Sequence, residues 1–323
     1  MRLTTKIRGR YPHQGLLVAW FFHPTTIVRI IALTCILLSA QCPVLNAQDS
    51  LTSPRPLPPV RQQVVAAPAP DSVAPRPDAS GADMDPTRYR LRTVVLDAGH
   101  GGKDIGCNGA SAHEADVALA IIKNLGRQIE AGSPGVRVIY TRKTDVFIEL
   151  DERAAIANRN HADLFISVHC NAGPKGARGT EVWTMGLHKT DANLGVAQRE
   201  NSVILQEKDY KRRYDGFDPR SPQSHILFSL FQSAYLTNSL RLAQRIDRQF
   251  RTSVGRSSRG IKQAGFIVLW KSTMPSVLVE AGFLTDRGEE NYLDDKVGQQ
   301  AIANGIYRAF REYKHDLEGT RGE

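Results

Sequence analysis

Four side chains in this 323-residue chain stand where an α/β protein could use them together: His100, Glu114, His169 and Glu280. His100 closes the run Thr93-Val94-Val95-Leu96-Asp97-Ala98-Gly99, and His169 closes Leu164-Phe165-Ile166-Ser167-Val168, so each imidazole is carried on the tip of an apolar, β-branched strand. Glu114 opens a stretch whose Val117, Ile121 and Leu125 fall on one side of a helix. Two imidazoles and a carboxylate are the ligand set of a catalytic zinc, with the fourth position left for a water whose pKa the metal lowers to about 7. Glu280, after the apolar Ser276-Val277-Leu278-Val279, suits a general base and acid, because burial raises a carboxyl pKa toward the working range. His113 is the alternative ligand beside Glu114, although neighbouring helix residues face different directions. Each of the four has an ordinary structural reading taken singly. Their joint placement at strand and helix ends is what points to chemistry.

The elements that must position them alternate along the chain. Strands are expected at Val136–Tyr140, at 178–184, where alternation suggests a place nearer the sheet edge, at Ala264–Leu269 and at Ser276–Phe283. Helices are expected from Glu114, over Leu150–Asn160, over Ile226–Phe250 as one long amphipathic element, and over Lys296–Tyr313. This order predicts an α/β fold: a single domain with a twisted mixed, mostly parallel sheet flanked by helices on both faces. Active residues of such sheets collect at strand ends. A polar excursion, 186–224, interrupts the pattern, and a loop of that length in a compact domain is a lid, a binding loop, a disordered segment or a surface excursion with no control function. His161, His188, His225 and His315 lack a strand-end setting and are expected on the surface or in loops.

Composition divides the rest. Residues 1–47 carry Arg2, Lys6, Arg8, Arg10 and Arg29 with no acidic residue, followed by an apolar run from Ile30 to Ala40. That is the pattern of a secretory signal peptide, and the run is shorter than the roughly 20 residues of a spanning helix. Residues 48–90 are rich in Pro and Ala and read as a mobile tether. The folded domain is expected over 91–316, with 317–323 as a tail. Of the formal net charge of +9 the signal accounts for five, and the remainder forms no dense run of the kind that binds nucleic acid. Cys107 and Cys170 would sit in an oxidising compartment, as one disulfide or as two free thiols.

The stretches Val95 to Asp104, Glu114-x-Asp116-Val117-x-Leu119-Ala120, Ser167 to Ala172 and Val277 to Phe283 together resemble the zinc-dependent N-acetylmuramoyl-L-alanine amidases of the amidase-3 type. The likeness covers Leu91 to about Tyr313 and takes in Leu150-Asp151-Glu152-Arg153. It implies hydrolysis of the amide between the lactyl group of N-acetylmuramic acid and L-alanine in peptidoglycan. It also implies Zn²⁺ on His100, Glu114 and His169, and Glu280 as the catalytic carboxylate. Asn171, Gly101 and Arg153, within or beside the matching motifs, are the expected substrate contacts. Two positions depart from the family's usual residues, Ala115 and Thr285-Asp286. Division-associated members carry an insertion over the zinc, so 186–224 is expected to restrain access. Glu200 or Glu207 would then approach the metal, and an activator protein would displace the segment. The expected setting is the periplasm of a Gram-negative-type cell, with membrane contact only through an uncleaved signal. The same metal chemistry would serve a peptidase acting within stem peptides, and a wall-binding regulator without activity is the non-enzymatic alternative.

Overall fold

The computed structural model describes residues 89–229 and 234–319. The segments read as signal peptide, and nearly all of the tether, lie outside the described residues. In chain order the elements are β1 Thr93–Ala98, α1 Glu114–Gly132, β2 Arg137–Tyr140, α2 Leu150–Arg159, β3 Leu164–Asn171 and β4 Thr180–Met185. There follow α3 Asp191–Asn201, a 3₁₀ turn Ser202–Gln206, α4 Tyr210–Arg213, α5 Pro222–Ser229 and α6 Leu236–Gln249. The chain then forms β5 Ser258–Ala264, α7 Ile267–Trp270, β6 Ser276–Phe283, α8 Arg287–Asp294 and α9 Lys296–Gly319. No helix among the described residues is long and apolar enough to cross a membrane.

One six-stranded sheet runs in the order β2-β1-β3-β6-β4-β5. All neighbours are parallel except β4 and β6, which gives the mixed, mostly parallel sheet. Period-two alternation sends the apolar side chains of each strand to two separate cores. On one face Val94, Leu96, Ile166, Val168, Val277 and Val279 meet α1, α6 and α9 through residues such as Ile121, Leu242 and Ile306. On the other, Val95, Phe165, Trp183 and Leu278 meet α2, α7 and the inserted segment through Leu150, Ile267, Tyr214 and Phe217. Burial on both faces is why β1, β3 and β6 read as continuous apolar runs.

Several expectations need correction. The apolar run Ala264–Leu269 is not a strand: the strand is the polar Ser258–Ala264 before it, and the run turns into the buried helix α7. A short apolar run does not distinguish strand from helix, and polar residues suit an edge strand. β4 is one strand in from that edge and all six of its residues are buried. The long helix over Ile226–Phe250 is two elements: Ile226 and Leu227 at its start are 44 % and 65 % exposed, whereas the amphipathic stripe proper belongs to α6 through Leu242 and Ile246. α9 continues past 316 to Gly319. His225 is fully buried, its Nε2 2.9 Å from the carbonyl of Pro219 and its ring edge-on to Phe217. Cys107 and Cys170 are free thiols, with the Cys107 Sγ donating to the Cys170 carbonyl at 3.0 Å.

Candidate metal centre

β1 and β3 are adjacent and parallel, so the two histidines that close them arrive at the same end of the sheet, where α1 begins. His169 Nδ1 lies 3.2 Å from His100 Nε2 and 3.1 Å from Glu114 Oε1, and His100 Nε2 lies 3.0 Å from Glu114 Oε1. A fourth donor comes from α3: Glu200 Oε2 stands 3.0 Å from His169 Nδ1 and 3.3 Å from His100 Nε2. All four residues are buried, and their donor atoms lie within 4.8 Å of one another. Around an ion with bonds of about 2.0–2.1 Å, tetrahedral ligands are about 3.3 Å apart, close to the spacings found. Glu200 Oε2 also has no aligned hydrogen bond to either ring, as expected of donors aimed at a common centre rather than at each other. The residues present therefore fit a tetrahedral divalent cation.

Two of these donors are held by second contacts. His100 Nδ1 is 2.7 Å from Asp104 Oδ2, the carboxylate that fixes ring orientation. Glu114 accepts the amide N–H of Cys170 on Oε1 at 2.9 Å and that of Cys107 on Oε2 at 2.8 Å. His100 itself adopts φ 58°, a left-handed conformation uncommon for a non-glycine residue. It is held there from below: Arg153 donates to the carbonyls of Ala98 and His100 at 2.6 and 2.8 Å, and Arg142 to those of Ala98 and Gly99 at 3.0 and 2.7 Å. Buried Asp97 anchors Arg153 at 2.8 Å and accepts from Thr141 and Ser167. Burial opposes its charge, but Arg153 and the two hydroxyls prevail and hold its carboxyl below the usual range.

The glycines serve this packing. A Cβ on Gly99 would come within 2.5 Å of the His169 ring, and one on Gly106 within 2.6 Å of Glu114. Gly101, expected to contact substrate, is buried at φ 125° with Val146 O 2.4 Å from where a Cβ would stand. Arg153, likewise expected at the substrate, is 1 % exposed, with Nε, Nη1 and Nη2 all donating to Asp97 and backbone carbonyls, so it is a positioning residue. Asn171 lies beside the cluster, bonded to Glu181 at 3.0 Å and to Arg199 of α3 at 2.8 Å. His113 points away, its Nδ1 2.7 Å from Asn108. Asp104 and Arg142 were missed; the signal for Asp104 was its place four residues after His100, and Arg142 had none.

The electrostatics follow from crowding. Burial opposes the charged His100 ring, but Glu114, Asp104 and Glu200 outweigh it and hold its pKa well above the ordinary value; His169 is raised to about 9 in the same way by Glu114 and Glu200. Burial likewise opposes the charge on Glu114, whose pKa the two imidazoles nevertheless lower to about 2. Glu280 differs. It is directly opposite His169 in the β3–β6 register, fully buried, and neither carboxyl oxygen has a hydrogen-bond partner among the described residues. Burial, then the charges of Glu200 and Glu114, push its pKa well above the usual range.

The inserted segment is folded over this centre. Ala197, Val203, Ile204, Tyr214 and Phe217 join the second core. Glu200 reaches the cluster, but Glu207 does not. Its Oε1 accepts the Leu150 N–H at 3.0 Å and its Oε2 the Tyr214 hydroxyl at 2.6 Å, because the 3₁₀ turn carries it to the N-terminus of α2.

A mixed, mostly parallel sheet with two imidazoles and a carboxylate converging at one end of its strands defines a hydrolase of the metal-dependent α/β class. The chain belongs to the N-acetylmuramoyl-L-alanine amidase family, whose model matches residues 94–312, and zinc dependence is a property of that family. It is 34 % identical over 235 residues to N-acetylmuramoyl-L-alanine amidase AmiA of Escherichia coli K12, across 71 % of this chain and 78 % of that protein. It is 31 % identical over 222 residues to the uncharacterized protein YqiI of Bacillus subtilis, across 69 % and 84 %. The crystal structure of an N-acetylmuramoyl-L-alanine amidase from Clostridium difficile 630 superposes with a TM-score of 0.52 at 28 % identity, covering 70 % of this chain and 97 % of that one.

Proposed function

We propose that this chain hydrolyses the amide joining the lactyl group of N-acetylmuramic acid to L-alanine of the peptidoglycan stem peptide, with Zn²⁺ held by His100, Glu114 and His169. The observation that carries the assignment of roles is the orphaned, buried Glu280 carboxyl standing in register with His169 beside the three donors. A zinc ion there supplies Lewis-acid polarisation and a water pKa lowered to about 7. Glu280, kept protonatable by burial, takes a proton from water and returns it to the departing alanine nitrogen. Asp104 and the Cys107 and Cys170 amides hold the donors still while this happens. Digestion of purified peptidoglycan with and without chelator, followed by mass analysis, tests the reading. Intact stem peptides should be released only with metal, and Glu280→Gln should lower the rate about 10²–10⁴-fold. Free terminal D-alanine as the product would instead establish the stem-peptide peptidase.

A restraint on access is favoured by one specific contact, Glu200 in the position of a fourth ligand. Residues 186–224 then act as a lid that an activator protein displaces. A chain lacking residues 190–220 should be more active than the parent, and equal activity in two folded proteins would reject the restraint. With residues 1–47 as an export signal, 48–90 as a tether and 91–316 as the catalytic domain, the reading we favour is an enzyme of the periplasm of a Gram-negative-type cell.

A further inference from the structure

Beyond the proposed ligands, one charge cluster beside the site is unbalanced. Glu181 on β4 is 2 % exposed and pairs in register with Glu280 on β6. Its Oε1 accepts from two cations of β5, Arg259 Nε at 2.8 Å and Lys262 Nζ at 2.6 Å, while its Oε2 accepts from Asn171 at 3.0 Å. One carboxylate thus faces two cations. Each cation is also propped on an aromatic ring: the Arg259 guanidinium stands 5.0 Å from the centre of Phe283, and Lys262 Nζ 5.2 Å from that of Trp183. The Arg259 side chain is 46 % exposed, and no described residue accepts from its Nη1 or Nη2. The result is a pre-positioned pair of cations with unspent donors, two strands from Glu280.

We propose that Arg259 and Lys262 bind a free carboxylate of the stem peptide and so lay the peptide half of the substrate toward β5. The inference rests on the amidase reading above. The glycan half is neutral, because its lactyl carboxyl is consumed in the scissile amide, so the carboxylates are all on the peptide side. The nearest belongs to the second residue, a glutamate linked through its side chain, whose Cα is about 3.8 Å from that of the alanine if the spacing of an ordinary peptide applies. β5 is about 10 Å from β6, and the long Arg259 and Lys262 side chains close part of that gap by reaching back to Glu181. A guanidinium with both Nη groups free matches a carboxylate in fork geometry.

The test compares three muramoyl tripeptides: one with all carboxylates free, one amidated at the second residue and one amidated at the third. The enzyme is the zinc-loaded full-length chain carrying Glu200→Ala, with and without Arg259→Gln and Lys262→Gln, which retain a donor toward Glu181. On the free substrate each substitution should raise KM about tenfold with kcat nearly unchanged. That penalty should vanish on one amidated substrate, which identifies the carboxylate bound. An equal penalty on all three, or none, overturns the inference and leaves the amidase reading standing. Failure of the Glu200→Ala chain to cleave any of them overturns both.

Discussion

Helix α1 and the inserted α3 each bring a carboxylate to the same imidazoles, by opposite means. Glu114 is set at the first turn of a helix whose apolar side is buried, and two backbone amides, Cys107 in the preceding loop and Cys170 in β3, fix both of its oxygens. Glu200 sits near the end of α3, with its Oε1 3.2 Å from the neighbouring Arg199 and its Oε2 facing only the two rings. The first carboxylate is placed by a helix packed on the sheet; the second is placed by a segment that contributes no strand to it. Under the proposed restraint, the first kind of donor is permanent and the second is removable.

The largest effect should come from the permanent side. Arg153→Met removes the cation that pairs with buried Asp97 and props the His100 carbonyl, so it leaves an uncompensated charge in the core. A loss of about 3–5 kcal/mol is expected in denaturant unfolding, together with loss of zinc retention. A stability within 1 kcal/mol of the parent, by the same estimate for a surface pair, would show that the scaffold does not depend on this pair. On the removable side, Glu200→Ala should leave unfolding nearly unchanged while raising hydrolysis. A hydrogen bond to a charged group is worth about 1.5–3 kcal/mol, so the rise should be about tenfold or more where lid closure limits the rate. Unchanged or lower activity in the folded variant would make Glu200 a working ligand and erase the distinction between the two carboxylates.

The permanent side was also the legible side. His100, His169 and Glu280 announce themselves because strands buried on both faces spell out apolar runs, and a titratable residue at the end of such a run has few other reasons to be there. Glu114 followed from helix patterning. The supports were less visible: Arg142 reads as a turn residue, and only the fold shows its guanidinium on the Ala98, Gly99 and Ala115 carbonyls. β5 was missed because its polar residues pair with Glu181 instead of alternating with apolar ones. The inserted segment was read as polar excursion because its core contacts are irregularly spaced, from Ala197 to Phe217 over several short turns. Glu200 and Glu207 were indistinguishable in sequence; one helical and one 3₁₀ turn send them to different ends of the same surface.

That divergence gives the inserted segment a second hold on the scaffold, and the smallest of the expected effects. The residue before α2, Glu149, makes no side-chain cap, and the first amides of the helix are instead satisfied from the lid: Leu150 N–H by Glu207 at 3.0 Å and Asp151 N–H by the Tyr214 hydroxyl at 3.2 Å. Capping bonds of this kind contribute about 1 kcal/mol. When the lid lifts, water reaches those amides, and Asp151 and Glu152 in the first turn still favour the helix dipole, so α2 itself survives. Tyr214→Phe should therefore act on the lid alone. Amide exchange across 202–214 and at Leu150 and Asp151 should accelerate about fivefold, while exchange in β3 and β6 stays unchanged. If the strand amides accelerate as well, the lid is part of the scaffold's own stability and not a separable cover. If nothing accelerates, Glu200 alone holds the segment down, and the capping contacts merely follow from its position.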